Sequence, residues 1–273
     1  MSLSRIAGSV IIICILFSCS RNPYATTNKL YKKEAKTLAR SLQPVPETLH
    51  IDSVVTPAYA IGTTNFDLRK PNFVIIHHTA QNACDETLKT FTLQQSKVSA
   101  HYVICKDGTV HHMLNDYLRA WQAGASRWGN ASDINSISIG IEIDNNGYEP
   151  FTESQINSLL HLLDTLKKKY NIPAANFIGH GDIAPGRKVD PNVFFPWQEL
   201  AEKGFGLWYG DTASTTPPAN FDHLLALRII GYDVRDSIAA IRAFKRHFTL
   251  DTAGRSINTA DEKILFDLEK KYR

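Results

Sequence analysis

Ten histidines in a 273-residue chain supply the commonest protein ligand for a divalent ion, and only those that converge in space can share one. His77 and His78 end the apolar run FVII, His180 ends FIG, and Asp190 comes two residues after Lys188 in the proline-punctuated segment APGRKVDP. Alternate residues of an extended segment face the same way, so Lys188 and Asp190 address one pocket while Val189 faces out. The same rule lets only one of His77 and His78 reach a given face. Two imidazoles and a carboxylate leave a fourth tetrahedral position for water, which is the pattern of a catalytic rather than a structural zinc site. Glu142 sits in the otherwise apolar stretch SIGIEID, where an ionised carboxylate is costly unless a positive charge faces it. Hydrogen-bonded core histidines satisfy the same distant spacing, so the surrounding residues have to decide.

These side chains need a frame. Phe73–Ile76 is a short continuous apolar run after Pro71-Asn72, as expected of a strand buried on both faces. A helix is expected over Glu86–Gln95, followed by two strands in SAHYVICKDGTVHHML joined at Asp107-Gly108. Ser136–Asp144 reads as a further strand. Thr152 and Gln155 form a capping box ahead of an apolar stripe from Ile156 to Leu166, which predicts a helix over Thr152–Tyr170. Phe177–Ile183 reads as one more short strand. Strands interleaved with helices give an α/β domain over residues 56–204, a central mixed β-sheet flanked by helices. A tether with one helix, ended by Pro44 and Pro46, occupies 19–55. Beyond a Ser/Thr/Pro linker at 205–219, residues 220–273 hold three helical patterns, a small C-terminal three-helix module.

The words around the candidate ligands are specific. IIHHTA, SAHYVICKDG, RAWQAG, NSISIGIEI and GHGDIAPGRKVDP, spread from Asn72 to Trp197, together resemble the zinc-dependent N-acetylmuramoyl-L-alanine amidases of the amidase-2 family, relatives of the peptidoglycan recognition proteins. The resemblance implies that His77, His180 and Asp190 hold one Zn2+, that Glu142 is the catalytic base, and that Lys188 stabilises the oxyanion. Zinc would acidify a water and polarise the amide between N-acetylmuramic acid and L-alanine in peptidoglycan or muropeptides. His78 is then a packing or supporting group, and His101 a structural one. Where several relatives have a Tyr before the His of SAHY, this chain has Ala100, which shifts the catalytic burden onto Glu142. Gln122 departs from the common AWHAG, which puts a substrate contact there in doubt. Arg187 is a candidate for a stem-peptide carboxylate or a plain surface residue, and Trp121 and Trp128 either floor a substrate groove or pack. Leu224–Phe248 is similar to small peptidoglycan-binding helical modules, with Lys245 where Gln is usual; the other reading is a stabilising cap without a ligand.

Composition is that of an ordinary globular protein, with 43% hydrophobic and 21% charged residues and a net charge of +3. Acids and bases are interspersed, so nothing calls for nucleic acid. The first eighteen residues carry Arg5, then an apolar stretch Ile6–Phe17 too short to span a bilayer at about 20 residues, then Ser18-Cys19. LFSC resembles a lipoprotein signal, with cleavage before Cys19 and lipid on that residue. The expected location is the cell envelope, anchored in the outer membrane and facing the periplasm. Two of the four cysteines, Cys84 and Cys105, then remain without lipid, either as a disulfide or as two free thiols. The competing function is a peptidoglycan sensor of the same fold that does not catalyse. Completeness of the five polar residues favours the enzyme.

Overall fold

The computed structural model describes residues 22–42 and 70–273, with 63, 65 and 68 as isolated positions. The signal segment, Cys19 and the expected domain start at 56 lie outside the described residues. Residues up to Phe66 and from Asp67 onward are separate compact units. In the first, helix α1 spans Ala25–Ser41. Among the described residues no helix is long and apolar enough to cross a membrane.

The second unit is built on five strands: β1 (Phe73–His78), β2 (Tyr102–Ile104), β3 (Val110–His112), β4 (Ser138–Ile143) and β5 (Phe177–Gly179). They lie in the order β3-β2-β4-β1-β5, with β3 antiparallel to β2 and the other pairings parallel. β1 is an interior strand, flanked by β4 and β5, and its Val74, Ile75 and Ile76 are fully buried, as a run that is apolar on both faces requires. The β2–β3 hairpin turns where Asp107-Gly108 predicts, and Gly108 adopts the positive φ that the turn demands.

Alternation along the strands divides the core. Val74, Ile76, Ile139, Ile141 and Ile143 pack on one face against helix α3 (Glu153–Tyr170), through Ile156, Leu159, Leu163 and Leu166. The capping box is present: Thr152 accepts from the Gln155 N–H, and the Gln155 side chain accepts from the Thr152 N–H. Helix α2 (Cys84–Thr92) is tied to the end of β2 by a disulfide, Cys84 to Cys105, with Cα atoms 5.3 Å apart.

The other face carries Ile75 and Ile178, and here the C-terminal helices pack. They are α6 (His223–Ile230), α7 (Ser237–Phe248) and α8 (Thr259–Tyr272). Leu227, Phe244 and Leu265 share one cluster with Ile75, Ile178 and Ile183, so the three helices form one core with the sheet. Lys245 is not a surface residue: it is 4% exposed and paired with Asp261 at 2.7 Å and Asp251 at 3.2 Å. One segment departs from expectation. Phe177–Ile183 is extended only to Gly179; His180–Ile183 is a single helical turn, α4, because the Asp182 carboxylate turns back to accept from the Gly179 N–H at 2.9 Å. The last short helix, α5, is Trp197–Glu202.

Candidate metal centre and active site

Register places the first pair. Parallel pairing of β1 with β4 sets His77 directly beside Glu142, and both point to the face opposite α3. β5 flanks β1 on its other side and delivers His180 at the first position of α4. Asp190 comes back across that turn, held by a bond from the Gly181 N–H to its carbonyl at 2.7 Å.

Asp190 Oδ2 lies 3.0 Å from His77 Nδ1 and 3.0 Å from His180 Nδ1. The outer nitrogens decide what those contacts mean. His180 Nε2 faces the Ala123 carbonyl oxygen at 3.1 Å, and His77 Nε2 faces the Gln122 side-chain oxygen. That oxygen is an acceptor, since the Gln122 amide nitrogen donates to Ser138 Oγ at 2.8 Å and the Ser138 hydroxyl donates to the Ile134 carbonyl at 2.6 Å. Each neutral ring therefore carries its proton on Nε2, and each Nδ1 presents a lone pair to a carboxylate oxygen. Three acceptor atoms that converge in this way repel one another unless a cation lies among them. One ligand atom from each of these three residues lies within 4.8 Å of the others, and two imidazoles with one carboxylate, their outer N–H groups held by acceptors, are a donor set that fits zinc.

The two rings differ electrostatically. Burial opposes charge on His77, but Glu142 and Asp190 beside it outweigh burial and raise its pKa; burial, aided by His77, pushes His180 down to about 4. Positive charge is thus favoured beside His77, between two buried carboxylates, while the His180 ring stays neutral. Burial also raises the Glu142 carboxyl above its ordinary value, and Glu142 Oε2 has no hydrogen-bond partner among the described residues. A buried carboxylate oxygen left open beside this candidate metal site is placed to take a proton. The cavity holding these groups is about 420 Å³, with Lys188 and Trp121 at its edge.

The remaining candidates separate. Trp121 is 54% exposed beside the cavity. Trp128 is not: it is 7% exposed and packs edge-to-face on Tyr232 at 5.0 Å within the core shared with the C-terminal helices, so a groove-floor role is ruled out by burial. Arg187 reaches the cavity, yet its guanidinium donates to the Ala123 carbonyl at 2.7 Å and the Ala125 carbonyl at 2.8 Å, which fixes the loop that meets His180. His101 is structural: Nδ1 accepts from the Gly140 N–H at 3.1 Å and Nε2 donates to the Leu118 carbonyl at 2.9 Å. His78 points to the opposite strand face, over Gly147. Sequence reasoning missed the part played by Gln122. Its replacement of the His in AWHAG was the available signal, since either side chain can hold the outer nitrogen of His77. A second missed residue is Asp182, whose carboxylate accepts from Tyr232 Oη at 2.8 Å and His247 Nδ1 at 2.8 Å, joining the C-terminal helices to the turn that begins at His180.

Comparison with known proteins places the chain in a family. The profile of the N-acetylmuramoyl-L-alanine amidase family matches residues 67–193. The N-acetylmuramoyl-L-alanine amidase AmiD of Escherichia coli is 32% identical over 230 residues, covering 73% of this chain and 82% of AmiD. The chain belongs to this amidase family. The likeness extends to solved structures. A complex of E. coli AmiD with the substrate anhydro-N-acetylmuramic acid-L-Ala-D-gamma-Glu-L-Lys superposes with a TM-score of 0.69 at 30% identity, covering 79% of this chain and 96% of that one. AmpDh3 from Pseudomonas aeruginosa, solved with anhydromuramic pentapeptide, gives 0.67 at 29% identity over 81% of this chain and 99% of that one. This amidase shares with them the five-stranded mixed sheet and its flanking helices.

Proposed function

We propose that this amidase hydrolyses the bond between the lactyl group of N-acetylmuramic acid and L-alanine in peptidoglycan fragments, anhydro-muramyl peptides among them, in cell-wall turnover or recycling. The observation that carries the proposal is the convergence of two imidazole lone pairs and a carboxylate oxygen beside an unpartnered Glu142. His77, His180 and Asp190 would hold Zn2+. When bound, zinc supplies Lewis-acid polarisation to the scissile carbonyl and to the attacking water. Glu142 takes the water proton at Oε2 and returns it to the leaving amine. Lys188 faces the oxygen on which negative charge develops. Gln122 and the Ala123 carbonyl keep both rings in the tautomer that presents Nδ1 to the metal. The substrate bound to AmiD and the anhydromuramic pentapeptide bound to AmpDh3 support the class of molecule cleaved. For location, LFSC supports lipid attachment at Cys19 and an envelope enzyme facing the periplasm from the outer membrane.

Mass analysis of the products from defined muropeptides, with chelator and after zinc is restored, tests the reaction. Release of the free stem peptide that stops on chelation and returns with zinc is expected. Zinc-loaded protein that binds muropeptides and releases nothing would make it a sensor. Mass spectrometry of the mature N-terminus tests the anchor, a lipidated Cys19 being the expected species.

A further inference from the structure

A second groove, of about 330 Å³, lies between the loop at 186–189 and helix α7, and Lys188 and Val189 line both it and the catalytic cavity. Arg242 and Arg246, four residues apart on α7, line its far wall. The arginines that meet carboxylates among the described residues are Arg119, Arg235 and Arg273; neither groove arginine is among them. Arg242 Nε is buried with no hydrogen-bond partner among the described residues. Asp236, the acid among the described residues that line the groove, spends an oxygen on the Ala239 N–H at the start of α7. Arg246 also faces the buried Asp182 and Asp190, which attract its charge, whereas Arg242 meets a like charge four residues away and a desolvated nitrogen without an acceptor, so the fold carries at Arg242 a cost that a bound anion would remove.

We propose that this groove takes a carboxylate of the substrate's stem peptide, gripped by the guanidinium of Arg242 with Arg246 beside it. The proposal rests on the amidase reading and adds a specificity site to it, formed by the C-terminal helices rather than the catalytic sheet. The chemistry suits the ligand. A γ-linked D-glutamate keeps its α-carboxylate free, a second carboxylate ends the peptide, and a planar guanidinium binds such groups through paired hydrogen bonds. Lys188 at the shared wall places the peptide side of the substrate next to the bond to be cut.

Calorimetric binding of the tripeptide L-Ala-γ-D-Glu-L-Lys to the zinc-loaded protein tests this without turnover. The comparison ligands are the same peptide amidated at the glutamate α-carboxylate and the peptide amidated at its C-terminus. Wild type is expected to bind one amidated form about tenfold more weakly than the free acid, and that form identifies which carboxylate sits in the groove. Arg242→Gln should weaken the free acid by about the same factor and abolish the discrimination, while Arg242→Lys retains part of it. In steady-state hydrolysis the loss should fall on KM with kcat unchanged. Arg246→Gln serves as the second variant should Arg242→Gln fail to fold. Equal binding of all three peptides to wild type, or equal weakening of all three by Arg242→Gln, would overturn the groove assignment. A wild type that binds peptide with discrimination but cleaves no muropeptide would instead overturn the amidase reading alone.

Discussion

Asp182 and Asp190 stand eight residues apart in one segment, both buried, and they are used in opposite ways. Asp182 is saturated: its oxygens accept from the Gly179 N–H, His247 and Tyr232, donors drawn from the sheet and from the C-terminal helices. Its environment asks for nothing further. Asp190 offers one oxygen to two imidazole nitrogens whose protons lie on their far sides, with the open Glu142 oxygen nearby. Donors complete a joint, whereas acceptors left facing one another make a receptor for a cation. The same residue type in the same segment thus becomes structural or functional according to what its neighbours can donate.

Substitutions at the two aspartates and their partners separate the two uses. The largest effect is expected from Asp190→Asn, which should lose zinc by a hundredfold or more in affinity, roughly the upper range for outer partners of a metal site, and lose turnover with it. Competition with a fluorescent chelator measures the first and release of stem peptide the second. Lys188→Ala comes next: turnover should fall roughly a hundredfold, about 3 kcal/mol of barrier, with metal content unchanged. A variant that works normally would take Lys188 out of the reaction. Gln122→Ala should weaken zinc binding by about 10-fold or more while the fold melts normally, because His77 then loses the acceptor that fixes its tautomer. Unaltered zinc affinity in that variant would mean that the buried chain from His77 to Ile134 does not set the ring. Asp182→Asn should behave the other way, costing about 1–3 kcal/mol of stability by denaturant unfolding while zinc stays bound.

The smallest effect concerns a third buried aspartate, Asp116, held by Tyr102, Tyr170 and Lys169. Burial alone would raise its pKa, but bonds from Tyr170 and Tyr102 and the Lys169 ammonium outweigh it and hold the carboxyl below 3.8. Its stabilising contribution is therefore complete above the unfolded value and is lost as pH falls through the folded one. Asp116→Asn should flatten the acid limb of a thermal-stability profile below about pH 4 and leave stability near neutrality lower by a constant amount.

Local signals were legible to the extent that their physics is local. The turn at Asp107-Gly108, the box at Thr152 and Gln155, and the apolar run before His77 each act within a few residues, and each is found in place. His180 beginning a helical turn was hidden, because the cause is a side-chain bond from Asp182 that competes with an extended pattern. The burial of Trp128 was hidden for a different reason. It depends on Tyr232, far along the chain and brought near only when the C-terminal helices close over the sheet. Gln122, in a loop, belongs to the same class, since its meaning arises from His77 on β1 and Ser138 on β4.

Gly140 lies between Ser138 and Glu142 on the central sheet, and a Cβ built there would stand 2.6 Å from Cγ of Gln122. The bare backbone at that point is what lets the glutamine lie flat enough to reach the imidazole. A single methyl group at 140 would thus unseat an acceptor and loosen a ligand without touching either, so the tolerance of this catalytic machinery is set partly by a residue with no chemistry of its own.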